Sequence, residues 1–507
     1  MRVALHRVES DCLKPIYDNV ISKEETLELV VPDVSADVGT ILDVRGQFLL
    51  SSQKAKTNEI HISASVEATV IYAAEDSGKV QYIMANIPFD MMIPVPGANE
   101  NTKIVTRCEL CGIDARMLNP RKLLIRAAVS VQLCCYVPDK FVLWDNLSEG
   151  ETVAVYTLRK EVEHTLAVGV REKTFVISDE YRLPADKEQN AKMLSASTEV
   201  CVEDVKAVGN KIVVKALAKT MAVFLNEVDG MLFDNQFTTQ FSQIIEVDTF
   251  GENITNTVTI QLRDAEFTMA PDRDGGYMCS ANLHMCAQAI SRANKSSAYI
   301  ADAYSNTCEL TLETTDVKLM QVHPESSLML NLRGKLQPKA GLSEIMYLAI
   351  SSVCTELSGG DIDVTVEIGG VGKTESGELE SIELKLSAEE TLTLGANQKL
   401  NITCLCCDKP TVVGMPANAE VSVDIELCYS LREFAEISAV SGFEVSEDSN
   451  CKMENGPSLV VICSDREAEV WSLAKKYGST VEMIENANKV NDEFSATHRP
   501  LLIPRAR

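Results

Sequence analysis

The sequence predicts a mainly β protein in which three tandem antiparallel β-sheet or sandwich units are followed by a small β-α-α-β unit. Two observations carry this prediction. Apolar and polar residues alternate with a period of two over most of the 507-residue chain, and a segment of about 150 residues recurs three times. Residues 458–507 depart from the pattern because their apolar residues have helical spacing. The chain is long enough for several hydrophobic cores.

The repeat is visible in the main hairpin of each copy. The segment IHISASVEATVIYAAEDSGKVQYIMANIPFDMMI begins at Ile60 and aligns without gaps onto IVVKALAKTMAVFLNEVDGMLFDNQFTTQFSQII, which begins at Ile212. The same offset of 152 residues takes Gly78 to Gly230. A third copy begins at Ile362 with a shorter hairpin. A repeat of this length has the size of a domain and not of a solenoid turn.

We therefore predict copy 1 at residues 1–150, copy 2 at 151–298, copy 3 at 299–445, a linker at 446–457 and the small unit at 458–507. The linker is polar and contains Gly-Pro, so we expect it to tether the small unit flexibly.

Inside each copy we expect hairpin strands with solvated edges and faces, which are surfaces that other protein chains can use. The hairpin turns are predicted at Asp76-Ser77-Gly78, Val228-Asp229-Gly230 and Glu375-Ser376-Gly377. The stretches VSADVGTIL, KEQNAKML and GLSEIMYL contain helix-forming residues, so a short helical piece is expected before the main strands.

The small unit carries two helix signals between two short apolar runs, LVVI and LLIP. The first helix is predicted from an i, i+3, i+4, i+7 stripe formed by Val470, Leu473, Ala474 and Tyr477. Gly478 stands where a left-handed C-cap would end this helix. Ser479 and Glu482 have the spacing of a capping box for the second helix.

Composition limits the classes of function. A net charge of −27 repels phosphate backbones and anionic lipid, which argues against nucleic acid or a membrane surface as the main partner. No apolar run is long enough for a membrane span, and MRVALHRVESDCLK lacks the apolar region of a secretory signal. We expect the protein to remain in the cytoplasm of the cell that makes it.

Sixteen cysteines raise the question of a metal site. Cys108 and Cys111, followed by Cys134 and Cys135, can be drawn as four zinc ligands. Adjacent strand residues point to opposite faces, however, so neighbouring thiols cannot easily ligate one ion. The same objection applies to Cys404, Cys406 and Cys407. We predict small core residues and no metal, and cross-linking in an oxidising assembly stays open.

The string GGVGKT at residues 369–374 is similar to the end of a phosphate-binding loop. Glu367 stands where a Walker A loop needs glycine, and the following ESGELESIELKLS predicts a hairpin and a strand where that loop needs a helix. We interpret the string as a turn. The six histidines have no paired spacing, and no nucleophile or carboxylate motif recurs, so we predict no enzymatic activity and no cofactor.

The end of the chain resembles a LysM domain. VWSLAKKYGSTVEMIENANKV followed by PLLIP matches the family pattern at Trp471, Leu473, Ala474, Tyr477, Thr480, Val481, Ile484, Asn488, Leu502, Ile503 and Pro504. The three copies resemble the SPOCS domain in their long central hairpin and in an aromatic before a polar residue, Phe89-Asp90 and Phe241-Ser242. Three SPOCS domains followed by LysM is the layout of clostridial-type spore coat morphogenetic proteins.

This resemblance implies a non-enzymatic scaffold or adaptor, made in the cytoplasm of the mother cell and recruited to the forespore surface and spore coat. The implied partners are spore coat proteins, including a polymerising coat ATPase: the LysM unit would dock onto a coat-basement protein while the SPOCS domains mediate coat assembly. The alternative is a wall-associated protein that binds peptidoglycan or another N-acetylglucosamine polymer.

The resemblance also implies a binding site. LysM domains hold glycan between the loop before the first helix and the loop after the second. Those positions are here Glu467, Ala468, Glu469, Lys489, Val490 and Asn491. Where glycan-binding relatives have Gly-Asp-Thr, this chain has lost the glycine and gained two charges, which favours a protein partner. Trp471, Leu473 and Tyr477 are interpreted as the core of the small unit.

Overall fold

A computed structural model describes most of the chain. The described residues are 2–148, 155–183, 191–248, 251, 253–271, 276–306, 308–337, 341–445, 457–463, 470–488 and 500–505. They form a mainly β protein with several antiparallel sheets, which confirms the predicted class.

Copy 1 forms two sheets from a regular strand order. Its strands are β1 (Arg2–Val3), β2 (Leu5–Val30), β3 (Val38–Lys56), β4 (Glu59–Ala74), β5 (Val80–Pro94), β6 (Lys103–Asn119) and β7 (Lys122–Leu147). The meander β3-β4-β5 is one antiparallel sheet, and β7 pairs with β2 and β6 in a second. The inner faces of the two sheets share one cluster of buried residues. The alternating burial of β4 and β7 follows the period-two pattern of the sequence.

Copy 2 repeats this strand order. Its strands are β8 (Val155–Arg182), β9 (Ala191–Val208), β10 (Lys211–Asn226), β11 (Leu232–Glu246), β12 (Ile254–Pro271) and β13 (Tyr277–Ser305). β9-β10-β11 form the meander, while β13 pairs with β8 and β12. β2 of copy 1 pairs with β8 of copy 2 at Leu13 and Ala167, so the sheet of β8, β12 and β13 is continuous with the sheet of β2, β6 and β7. The predicted copy boundary at residues 298 and 299 falls inside β13.

Copy 3 has the same plan with a divided first strand. Its strands are β14 (Leu310–Val322), β15 (Ser326–Lys335), β16 (Leu342–Ser358), β17 (Asp361–Thr374), β18 (Leu379–Thr391), β19 (Gln398–Cys407), β20 (Thr411–Val413) and β21 (Glu420–Val445), with a 3-10 turn at Pro416–Asn418. β16-β17-β18 form the meander. In the second sheet, β21 pairs with β14, β15, β19 and β20 and also with β1 of copy 1. The C-terminal unit consists of β22 (Leu459–Cys463), α1 (Val470–Tyr477), α2 (Val481–Asn488) and β23 (Pro500–Pro504).

The predicted hairpin turns lie where expected. Gly78, Gly230 and Gly377 adopt φ angles of +65°, +72° and +86°, which a residue with a Cβ rarely adopts. Tyr72 and Phe224, related by the 152-residue offset, are both fully buried.

The short helices predicted before the meanders are wrong. VSADVGTIL runs through a turn into β3, the described end of KEQNAKML belongs to β9, and GLSEIMYL forms the start of β16. Leu42, Leu194 and Tyr347 explain the difference, because these segments place them in one buried cluster between the copies. Burial by strand pairing therefore outweighs a weak local helix preference. The pairing includes bulges in β3 and β16.

The three copies pack against one another around a common axis. β3 contacts β12, β9 contacts β19 and β16 contacts β6, so each copy uses its first meander strand to touch the next copy, and copy 3 touches copy 1. One buried cluster on the axis takes residues from all three copies, namely Leu42, Ile71 and Val80, Leu194, Val223 and Leu232, and Tyr347 and Val371. The contacts between copies extend to β7, β13 and β21, whose residues Leu143, Tyr299 and Ala439 meet in another buried cluster.

Candidate functional site: the C-terminal unit and the copy interfaces

The C-terminal unit has a small core that its helical stripe builds. β22 and β23 pair antiparallel, from Leu459 opposite Pro504 to Cys463 opposite Pro500. Ala474, Ile484 and Ile503 are fully buried between the two helices and this ladder. The predicted two-helix, two-strand order of the unit is therefore found in its described residues.

The helix ends agree with the prediction at one position and differ at the next. Gly478 has φ +66° and ends α1 as predicted. The cap of α2 is Thr480, whose Oγ1 accepts a hydrogen bond from the Met483 amide at 3.1 Å, so the predicted Ser479–Glu482 capping box is wrong by one residue. Ser479 is instead buried, and its hydroxyl donates to the carbonyl of Pro504.

Asn488 links the end of α2 to β23. Its Nδ2 donates to the carbonyls of Ile484 and Leu502 at 2.7 and 2.6 Å, and its Oδ1 accepts from the Leu502 amide at 2.9 Å. The asparagine shared with the LysM pattern therefore has a structural role here, because it completes the hydrogen bonding of a strand edge.

The C-terminal unit rests on the end of β13 in copy 2. Trp471 Nε1 donates to Asp302 Oδ2 at 2.9 Å, and Lys475 Nζ lies 2.5 Å from Asp302 Oδ1. Tyr304 donates its hydroxyl proton to the carbonyl of Ser479 at 2.9 Å and meets the Trp471 ring edge to face at 4.9 Å. These contacts define what we call the docking contact.

The docking contact adds to two expectations. Trp471 packs against the core of the unit, as interpreted, and it also links the unit to β13. The flexible linker lies almost wholly outside the described residues and stays a prediction, while Tyr304 of copy 2 belongs to the same buried cluster as Ala474 and Ile484. Sequence reasoning missed Asp302 and Tyr304, because alternation along β13 does not reveal which surface meets the C-terminal unit.

Electrostatics favour the docked arrangement. Burial alone would raise the pKa of Asp302, but the hydrogen bonds from Lys475 and Trp471 outweigh it and hold that pKa below its ordinary value. Burial raises the pKa of Tyr304 to about 12, with Tyr156 stacked on it at 5.2 Å, so the phenol stays a donor. Asp302 is thus a charged acceptor for two donors of the C-terminal unit.

The residues predicted to bind a partner or glycan cannot be placed against this geometry. Glu467, Ala468, Glu469, Lys489, Val490 and Asn491 lie outside the described residues, as do residues 446–456 of the predicted linker. The first three precede α1 and the others follow α2. Their role stays a prediction.

The glycine string of copy 3 has a packing role. Residues 369–374 lie in β17 and not in a turn, so that interpretation was wrong. A Cβ on Gly369 would lie 2.3 Å from Asp43 Oδ1 of copy 1, which shows that the glycine admits an acidic side chain across the interface. Asp43 accepts the Tyr347 hydroxyl at 2.8 Å, and Arg45 donates to the carbonyls of Ala349 and Ile350.

A cavity of about 290 Å³ lies where the three copies meet. Its lining includes Gln47 of copy 1, Glu199 and Lys219 of copy 2, and Thr403 and Cys407 of copy 3. Burial raises the pKa of Glu199 to about 7, although the Cys407 amide and Lys219 oppose the shift. The Thr403 hydroxyl has no hydrogen-bond partner among the described residues. All three copies therefore contribute polar groups to a lining that is otherwise largely apolar.

The cysteines divide between cores and copy interfaces. Cys134 and Cys135 belong to different buried clusters, as expected for neighbouring strand residues. Among the described residues, no three His, Cys, Asp or Glu side chains are placed to hold one metal ion. Cys201 of copy 2 and Cys406 of copy 3 form a disulfide with Cα atoms 5.7 Å apart. Sequence analysis missed this pair, because strand alternation does not reveal which copies touch.

Comparisons with known proteins bear on copy 1. The family model described as "SipL, SPOCS domain" matches residues 37–118, which span β3 to β6. This match supports a relationship with SipL-type proteins. Neither a curated protein nor a solved structure matches the chain. No helix within the described ranges is long and apolar enough to cross a lipid bilayer.

Proposed function

We propose that this protein is a non-enzymatic spore coat morphogenetic scaffold, in which three SPOCS domains form the body and a C-terminal LysM domain is the docking module. The observation that carries the proposal is the SPOCS match at residues 37–118, because this family indicates a sporulation-related coat protein. The repeated strand order of copies 2 and 3 extends the same assignment to them. The site of action is the forespore surface, reached from the mother cell cytoplasm.

The body has the properties that a scaffold needs. Its copies bury shared apolar clusters and are joined by hydrogen bonds across their interfaces, which links them into one platform. Among the described residues, β5 pairs with a neighbouring strand on one side only, and it exposes Met84 and Met92. An edge strand with exposed methionines is a surface on which coat proteins can pack.

The C-terminal unit supplies the specific contact in this proposal. The docking contact fixes α1 on the body through Trp471 and Tyr304. The predicted binding residues precede α1 at 467–469 and follow α2 at 489–491 in the sequence, and we propose that they meet the partner. We propose a coat-basement protein, such as a polymerising coat ATPase, as that partner.

Affinity capture from sporulating cells tests the proposal. The baits are the full chain, a chain ending at Asp448, and a full chain carrying Glu467→Lys and Glu469→Lys. We expect a coat protein on the full chain and its loss from both altered baits. A matched control, Glu436→Lys on β21 of the body, should retain the partner.

Two outcomes would contradict the proposal. If the three baits capture the same proteins, the C-terminal unit is not the docking module. If purified peptidoglycan is retained by the full chain and lost with residues 458–507, while coat proteins do not distinguish the baits, the protein is a wall-binding protein.

A further inference from the structure

The copies touch at three corresponding places, and two of them pair cysteines. Cys201 and Cys406 form the disulfide between β9 and β19. At the contact of β16 with β6, the thiols of Cys354 and Cys111 lie close enough to shift each other's pKa. At the contact of β3 with β12, Leu49 packs into a buried apolar cluster with residues of β12.

We propose that Cys111 and Cys354 form a second disulfide, between copy 1 and copy 3, when an uncharged two-electron oxidant of the hydrogen peroxide class reaches them. With Cys201–Cys406, this bond would link copy 3 covalently to both neighbours. The proposal goes beyond the scaffold function and does not depend on the identity of any coat partner.

Hydrogen bonds hold β6 of copy 1 against β16 of copy 3 beside these two cysteines. Glu109 Oε2 accepts hydrogen bonds from the hydroxyl and the amide of Thr355 at 2.7 and 3.3 Å. Arg107 reaches the same threonine hydroxyl at 3.4 Å. Cys111 and Cys354 therefore lie within two residues of a cross-copy contact, which keeps the two strands side by side where the disulfide would form.

The pair is accessible to small molecules. Both thiols are partly exposed, and Cys354 lines an open groove with Glu356, Asp363 and Glu389. These carboxylates favour a neutral or cationic reagent, because an anionic disulfide such as oxidised glutathione is repelled at low ionic strength.

The two thiols have different roles. The hydrogen bond from Cys111 lowers the pKa of Cys354, while burial and nearby carboxylates oppose this effect. The same hydrogen bond, together with burial, raises the pKa of Cys111. Because Cys354 lines the open groove, we assign it as the sulfur that attacks the oxidant and Cys111 as the resolving thiol.

The reaction balances in two steps. The Cys354 sulfur attacks one peroxide oxygen, the O–O bond breaks, and the products are a Cys354 sulfenic acid and water. The Cys111 sulfur then attacks the Cys354 sulfur, the S–S bond forms and the S–O bond breaks. The departing hydroxide takes the Cys111 proton and leaves as a second water, so each disulfide consumes one peroxide and two thiols.

Peptide mapping of the full-length folded protein tests the proposal. After brief peroxide treatment and alkylation of the remaining thiols, a peptide linking Cys111 to Cys354 should appear under non-reducing conditions and disappear on reduction. Cationic cystamine should form the bond faster than oxidised glutathione at low salt, and high salt should narrow the difference.

Single variants separate the roles. Cys354→Ser should abolish the cross-link, Cys111→Ser should leave a Cys354 sulfenic acid that dimedone traps, and Cys12→Ser, a partly exposed thiol on β2, should behave as the wild type. The proposal is wrong if both thiols of the wild type stay alkylatable after peroxide treatment. It is equally wrong if Cys354 becomes linked to another cysteine, such as Cys404 or Cys428.

Discussion

The buried group between copies 1 and 3 offers a stringent test of how the three copies hold together. Asp43 and Arg45 are only 6% and 3% exposed, and the Tyr347 hydroxyl of copy 3 donates to Asp43 at 2.8 Å. Arg45 lies 3.8 Å from Asp43 and donates to two carbonyls of β16. The change to make is Asp43→Ala.

The expected cost follows from what the substitution leaves behind. Burial raises the pKa of Asp43, while Arg45 and the Tyr347 hydroxyl oppose the rise. In Asp43→Ala, Arg45 would remain buried without this partner, and removing one partner of a buried pair costs about 3–5 kcal/mol. Tyr347→Phe removes only the hydrogen bond to the carboxyl group and should cost about 1.5–3 kcal/mol. Asp33→Ala is the matched control: Asp33 pairs with Arg121 at 2.9 Å, but its side chain is fully exposed, so little change is expected.

Hydrogen exchange read by mass spectrometry is the suitable assay, because a chain of several units need not unfold in one step. Peptides from β3 and β16 should lose protection in the order Asp43→Ala, Tyr347→Phe, Asp33→Ala. If Asp43→Ala exchanges no faster than Asp33→Ala at β16, the buried group does not hold the two copies together and the reasoning fails.

Three further predictions follow from other contacts. Gly369→Ala should cost about 1–3 kcal/mol in urea unfolding, because its Cβ would lie 2.3 Å from Asp43 Oδ1. Gly112→Ala should be tolerated, because its Cβ would lie 3.8 Å from Glu367 Oε2, and equal costs of the two substitutions would contradict the packing role of Gly369. Burial raises the pKa of Glu199 to about 7, so the folded state keeps a proton that the unfolded chain loses, and stability should fall as pH rises from about 4.5 to 7. Glu199→Gln should remove up to about 3 kcal/mol of this pH dependence of the unfolding free energy and raise Tm at pH 8. If the variant and the wild type show the same pH profile of Tm, the glutamate is not buried as described. Asp302→Ala should weaken the docking contact by about 1.5–3 kcal/mol, because Trp471 and Lys475 both lose their acceptor. In a Trp144→Phe background, the fluorescence emission of Trp471 should therefore shift to the red, and Lys475→Ala should have a smaller effect. Unchanged emission in Asp302→Ala would mean that this residue does not hold the unit.

Local structure was predictable where a short pattern determines it. The turns at Gly78, Gly230 and Gly377 follow from glycine's access to positive φ. The helices α1 and α2 follow from apolar spacing that one face of a helix can bury. The cap at Thr480 was missed by one position, because neighbouring serine and threonine residues offer equivalent hydroxyl groups.

Relations between distant parts of the chain were not predictable from the same patterns. The segment GLSEIMYL has helix-forming residues, yet Tyr347 is buried against copies 1 and 2 as part of a strand. The string GGVGKT predicted a turn, but it lies in β17, where Gly369 leaves space for Asp43 of copy 1. The cysteines were predicted to be core residues, but Cys201 of copy 2 and Cys406 of copy 3 form a bond between two copies.

The β class, the repeat, the hairpin turns and the element order of the C-terminal unit could thus be predicted from the sequence, because each depends on periodicity or backbone preference within a few residues. The closure of the three copies, the Cys201–Cys406 bond between copies and the contact of Trp471 with Asp302 and Tyr304 became apparent only in the folded molecule. These features depend on which surfaces meet after hundreds of intervening residues. Alternation along a strand marks the face that is buried, but it carries no information about the partner that buries it.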